Sequence, residues 1–161
     1  MPTSTMPTTT DSTAADSDPP LVYKTAGVIP FSAHGYWLVR ARVRTQWALS
    51  DFSTERKRSD AHEWVTAQRA MREGGDAEAF APESRLVHPD YRQDHVLYFC
   101  KVHRPPVPPE GVEMRFVQWK EHLGNGMPKN LHQRLRYDYE GCIRSTLGRL
   151  ACKYGGEEAS R

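Results

Sequence analysis

Apolar and polar positions repeat along this chain in two different periods, and the change of period marks the elements. Residues 22–31 (VYKTAGVIPF) are β-branched and apolar and predict a strand. Ser32–Gly35 reads as a turn. From Leu38 onward Tyr36–Arg44 (YWLVRARVR) alternates strictly: Leu38, Arg40, Arg42 and Arg44 share one face, while Trp37, Val39, Ala41 and Val43 form the expected core face. Gln46–Leu49 reads as a short strand, and Ser50–Ser59 (SDFSTERKRS) is charged enough to be expected as a loop. The period then becomes helical from Asp60 to about Glu73, with Ala61, Trp64, Val65, Gln68 and Met71 on one side. A capping-box pattern, Asp60-x-x-Glu63, opens this helix, and Gly74-Gly75 stops it.

Farther on, His95–His103 (HVLYFCKVH) predicts a strand. Arg104–Gly111 (RPPVPPEG) cannot be a strand interior and reads as an extended connector. Val112–Trp119 predicts another strand. Asn130–Leu150 predicts a terminal helix, with Leu131, Leu135, Tyr139, Cys142, Ile143 and Leu147 on its apolar stripe. Strands come first, then a helix, then strands and a last helix, which is the order of a mixed α/β layered domain. Continuous βαβ alternation is missing, as are G-x-x-x-x-G-K-[ST] and G-x-G-x-x-G, which argues against a doubly wound nucleotide fold.

Composition sharpens the domain limits. A length of 161 residues suits one domain, and 38% apolar residues suffice for a core. The first twenty residues (MPTSTMPTTTDSTAADSDPP) carry three acids, no base and almost nothing apolar, so burial cannot offset their ordering entropy. A disordered acidic tail is expected over 1–20, a folded domain over 21–152 and a flexible tail over 153–161. The tail's three acids leave a net charge of +5 over residues 21–161, against +2 for the whole chain. That permits a phosphate-bearing ligand without demanding nucleic acid, and an ordinary solvated surface explains it equally well. Nothing approaches the roughly 18–20 apolar residues of a membrane span. The first residues lack a basic flank and an apolar run, so no secretory signal is expected. Three cysteines are too few for a disulfide framework, and an intracellular, cytoplasmic setting is the default.

The segment Trp47–Gly75 (WALSDFSTERKRSDAHEWVTAQRAMREGG), preceded by AGVIPF and YWLVRAR, resembles the Nudix hydrolase family. Its signature is written G-x5-E-x7-R-E-U-x-E-E-x-G-U, with U a bulky apolar residue. Leu49–Phe52 matches the start of a variant that reads Leu-Ser-Asp-Phe-Gly-Gly-Lys-Arg-Glu. The later strand VLYFCKV, the strand ending in Trp119 and the final helix agree with the same layout, over about residues 22–150. The resemblance implies a Nudix-like α/β/α sandwich with a mixed sheet in a single domain. It also implies hydrolysis of nucleoside diphosphate-linked substrates, with Mg²⁺ or Mn²⁺ held by three glutamates on one helix face.

Departures from the signature bear on that activity. Anchored on Arg69, the three glutamate positions are Ala70, Glu73 and Gly74, so only Glu73 survives, while Met71 fits the apolar position. The loop glycines fall at Ser53 and Thr54, where a side chain hinders close approach to phosphate. The loop glutamate falls at Lys57 or, by the stricter spacing, at Ala61, one residue from Asp60. Glu73 and Asp60 are therefore the catalytic candidates, and Glu73 with Glu63 the metal candidates. A solvated acid accounts for Glu73 equally well, and the capping box for Asp60 and Glu63. Within the box Trp47, Arg69 and Met71 read as structural, with Arg69 placed to pair with Glu73 at i, i+4.

Arg56, Lys57 and Arg58 stand where the family has its phosphate loop. With Arg40, Arg42 and Arg44 they are candidates for a metal-free anion site, the alternative being a solvated charged face. Cys100-x-x-His103 has no second pair at matching spacing and is rejected as a zinc site. Three readings follow. The first is a Nudix-fold protein with a decayed box, a pseudoenzyme that binds a nucleotide or other phosphate-bearing ligand, an RNA end or a protein partner. The second is an active pyrophosphohydrolase using Mg²⁺ or Mn²⁺, with mRNA caps among its substrates. The third is a structural or assembly protein.

Overall fold

A computed structural model of the chain describes residues 23–43, 45–75, 82–87, 94–126, 128–132, 135–136 and 142–155. The expected tail over 1–20, Arg44, Tyr139 and most of the expected tail over 153–161 lie outside these residues.

Among the described residues ten elements follow in order. They are β1 (Thr25–Phe31), β2 (Gly35–Val43), β3 (Gln46–Ser50), β4 (Phe52–Glu55), α1 (Glu63–Gly75), β5 (Pro82–Val87), β6 (His95–Lys101), β7 (Met114–Gln118), α2 (Trp119–Asn125) and α3 (Arg144–Tyr154). The mixed sheet runs β3-β2-β1-β6-β5, with β4 also on β1 and β7 also on β2. Only β1 and β6 are parallel, in register from Thr25↔His95 to Phe31↔Lys101. Strand β1 is forked: Phe31 pairs with Tyr36 of β2, whereas Thr25–Val28 pair with β4.

Side-chain alternation along β1 and β6 divides the core between two faces. Ala26, Val28, Val96, Tyr98 and Cys100 point to α1, where Phe52, Ala67 and Met71 complete one cluster. Ile29, Phe31, Leu97 and Phe99 point the other way and meet Trp119, Leu147, Leu150 and Ala151. Helix on sheet on helix is the expected α/β/α sandwich. Among the described residues no helix is long and apolar enough to cross a membrane.

Local expectations fail where tertiary contact outweighs local pattern. Residues 52–55 are strand β4, not loop, because Phe52 enters the α1-side core and the segment finds a partner in β1. Leu38 is buried on the face assigned to solvent, since the first half of β2 lies between both core clusters. The buried face of α1 is Ala67, Ala70 and Met71, with Trp64 stacked on Tyr98 at 4.8 Å, while Ala61 is exposed and precedes the helix. Trp119 does not close β7. It opens α2 and is fully buried, donating from Nε1 to the Ser32 carbonyl at 3.0 Å. Helix α3 runs on to Tyr154, whose ring packs 5.2 Å from that of Phe31.

Candidate functional site

The turn before α1 is built around a buried ion pair. Asp60 accepts from Nη1 of Arg69 at 2.5 Å, from the Thr66 hydroxyl at 2.7 Å and from the Lys57 amide at 2.8 Å. Arg69 also donates from Nη2 to the Glu55 carbonyl at 2.5 Å. Tyr23 and Thr66 join hydroxyls at 2.7 Å, tying the start of the described chain to the same cluster. The Arg69 guanidinium holds the Asp60 carboxyl well below the usual carboxylate range, against the opposing effect of burial. Asp60 therefore clips the loop to Arg69 rather than heading a capping box. Its own amide donates to the Lys57 carbonyl, and α1 starts at Glu63.

The remaining carboxylates of the box are divided. Glu63 pairs with Arg85 of β5 at 2.6 Å. Glu73 is 55% exposed, with an oxygen 3.9 Å from the Nε of Arg69. That Nε is buried and has no hydrogen-bond partner. Ala70 is 2% exposed and packed in the core. At Gly74 a Cβ would meet only Phe52, at an ordinary 3.5 Å. Ser53 and Thr54 are strand residues, paired with Gly27 and Ala26. Among the described residues no three His, Cys, Asp or Glu side chains gather to hold a metal. Mg²⁺ and Mn²⁺ favour an oxygen-rich shell, commonly completed by carboxylates and substrate phosphates. One exposed glutamate beside two committed acids does not fit that requirement.

The basic candidates do not form one patch. Arg56 lies over the Tyr23 ring at 4.8 Å, on the α1 side, and Lys57 and Arg58 are exposed. Arg40 and Arg42 stand instead over the Trp47 ring, at 4.7 and 5.2 Å, on the face that carries Tyr36 and Leu38. Trp47 is 45% exposed and lines a cleft of about 610 Å³ with Arg40, Leu49, Arg115, Asn125 and Lys129. Two acids in the same wall pair with two of its three cations: Arg40 with Glu113 at 2.7 Å and Arg115 with Glu121 at 2.5 Å, Lys129 being the third. No local pattern singles out Arg115 or Lys129: pairing of β7 with β2 brings the first to the cleft and the Leu49–Leu131 bridge brings the second, each more than sixty residues from Trp47.

A second buried polar cluster sits where β3 turns into β4. Asp51 lies 2.8 Å from Nε2 of His95 and accepts from the Ser50 hydroxyl at 2.9 Å, while Nδ1 of His95 lies 2.6 Å from the Thr25 hydroxyl. Gly27 lets the Asp51 carboxylate come this close, since a Cβ there would overlap it and press on the Phe52 carbonyl. The cluster joins β1, β4 and β6 at the fork.

Comparison with known proteins agrees with the topology. No protein-family model matches the chain, and no curated protein matches it in sequence. Solved structures do match. A Nudix hydrolase from M. smegmatis, RenU, superposes with a TM-score of 0.55 at 16% identity, covering 77% of this chain and 86% of its own. An ADP compounds hydrolase gives 0.56 at 10% identity, over 81% and 76%. MutT, from work on Aliivibrio salmonicida and Vibrio cholerae, gives 0.53 at 11% identity, over 77% and 94%. At these identities the similarity is one of architecture. With its forked mixed sheet between α1 and α3, the chain has the fold of the Nudix hydrolases.

Proposed function

We propose that this chain is a Nudix-fold protein with a decayed catalytic box, which binds a nucleotide or another phosphate-bearing ligand in the Trp47 cleft with little or no hydrolysis. The carrying observation is the state of the acids around α1. Asp60 is spent on Arg69, Glu63 on Arg85, and Ala70 and Gly74 occupy the other two glutamate positions, leaving Glu73 as the exposed acid. Losing ligands for a divalent ion removes both the polarisation of phosphorus–oxygen bonds and the activated water. The cleft keeps the means to bind. Trp47 offers a ring face to a base, Arg40 and Arg115 can exchange their carboxylate partners for phosphate, and Lys129 and the neighbouring Arg42 add positive charge. An RNA end presents the same chemistry. The three free cysteines fit an intracellular setting.

The test is a panel of NTPs, nucleotide sugars, dinucleoside polyphosphates, NADH and capped RNA, followed for hydrolysis with Mg²⁺ and Mn²⁺ and for quenching of tryptophan fluorescence. Binding without turnover is expected. Metal-dependent turnover that vanishes in Glu73→Ala would overturn the reading and establish a working pyrophosphohydrolase. A thermal shift with no nucleotide, together with a stable oligomer, would point instead to an assembly role.

A further inference from the structure

Adjoining the Trp47 cleft at Asn125 and Gly126 is a second cavity of about 380 Å³, whose lining adds His122, Leu123, Gly124, Arg144 and Gly148. Its deepest polar group is His122, which is 5% exposed. The imidazole is fixed edge-on against Tyr36 and Trp119, at 5.5 and 6.4 Å and 82° to each ring. Its Nδ1 lies 3.1 Å from the Tyr36 hydroxyl. Among the described residues its Nε2 meets no hydrogen-bond partner, and the residue lines the cavity. An imidazole nitrogen without a protein partner is satisfied only by what the cavity holds.

Two glycines keep the space open. A Cβ at Gly124 or at Gly148 would meet nothing within 4 Å. Gly148 lies inside α3, where glycine weakens the helix relative to alanine, and neither a positive φ nor a close contact requires it there. Among the described residues the lining contains a cation, Arg144, and no acid. The charge of Arg144 reaches His122: after burial, it is the second cause that lowers the imidazole's pKa from its ordinary value and favours the neutral ring.

We propose that this cavity is an oxyanion subsite, in which His122 Nε2, Arg144 and Asn125 hold a tetrahedral phosphoryl group. In the proposed subsite His122 takes the tautomer in which Nδ1 accepts from the Tyr36 hydroxyl, 3.1 Å away, and the hydrogen on Nε2 faces the ligand as a donor. Arg144 supplies charge, and the bare backbones of Gly124 and Gly148 supply room. The subsite borders the Trp47 cleft at Asn125 and Gly126 but draws His122 and Arg144 from outside that cleft, so its test does not need a nucleotide bound there.

The test is NMR of the full chain with labelled histidine, titrated with inorganic phosphate and, in a second arm, with acetate. Phosphate is expected to shift the His122 ring resonances saturably. Gly148→Leu, which fills the cavity and replaces a helix-weakening residue, is expected to weaken that binding about tenfold or more with no fall in Tm, the loss of roughly one charge-assisted hydrogen bond. Arg144→Gln is expected to do the same by removing the charge. No saturable shift, a shift with acetate alone, or unchanged affinity in both folded variants would overturn the proposal.

Discussion

Asp60 and Arg69, nine residues apart, meet at 2.5 Å and together close the turn that carries the chain from β4 into α1. Each is buried, and each has a further bond that depends on the other's position: Thr66 and the Lys57 amide on Asp60, the Glu55 carbonyl on Arg69. Removing either partner leaves an uncompensated buried charge. Arg69→Ala and Asp60→Ala should each cost about 3 kcal/mol by urea unfolding, and the double variant less than the sum of the two.

The same pair predicts an acid limb of stability. The Asp60 carboxyl is held low in the folded chain, whereas an unfolded aspartate titrates near about 3.9. The folded state therefore binds fewer protons. The contribution is complete above about pH 4 and is lost as pH falls below that value. Asp60→Asn should flatten the decline in stability of the wild-type chain between about pH 4 and pH 2, as followed by denaturant midpoints.

Rebuilding the box should meet uneven resistance. At Gly74 a Cβ has ordinary room, so Gly74→Glu should shift stability by no more than about 0.5 kcal/mol. Ala70 is core, and Ala70→Glu should cost about 2–4 kcal/mol for burying a carboxyl without a partner. Thermal unfolding of the two single variants checks this order. Equal tolerance at both positions would show that the core relaxes around Ala70.

Trp47→Ala separates binding from folding. The side chain is half exposed, and its ring contacts are the guanidinium groups of Arg40 and Arg42. Stability should fall by about 1 kcal/mol or less. Nucleotide affinity should fall about tenfold, as expected for a lost base–aromatic stack. Calorimetric titration of both proteins with the best ligand of the panel measures the difference.

At the fork of β1, Gly27→Ala would drive a Cβ into the Asp51 carboxylate and the Phe52 carbonyl. A loss of about 3 kcal/mol or more is expected. His95→Ala should be comparably costly, because it leaves the buried Asp51 without its imidazole partner. If both variants unfold at the wild-type denaturant midpoint, Asp51 has found other partners.

What the sequence determined by itself was the layering: strands where β-branched runs occur, a helix before Gly74-Gly75, and a charge pattern that singled out Arg69 and the missing glutamates of the box. These are local properties, set by periodicity and by residue type at fixed spacing. It did not determine where the acids would go. Asp60 and Glu63 look like one capping box at i, i+3, but packing sends the first to Arg69 and the second to Arg85 of β5. Nor did it join Trp47 to Arg115, His95 to Asp51, or His122 to Arg144. Those meetings depend on strand pairing and on the turn after α2, which bring together positions that no local period relates. The sequence laid down the sandwich, and tertiary contact decided which of its charges meet in buried pairs and which line a cavity.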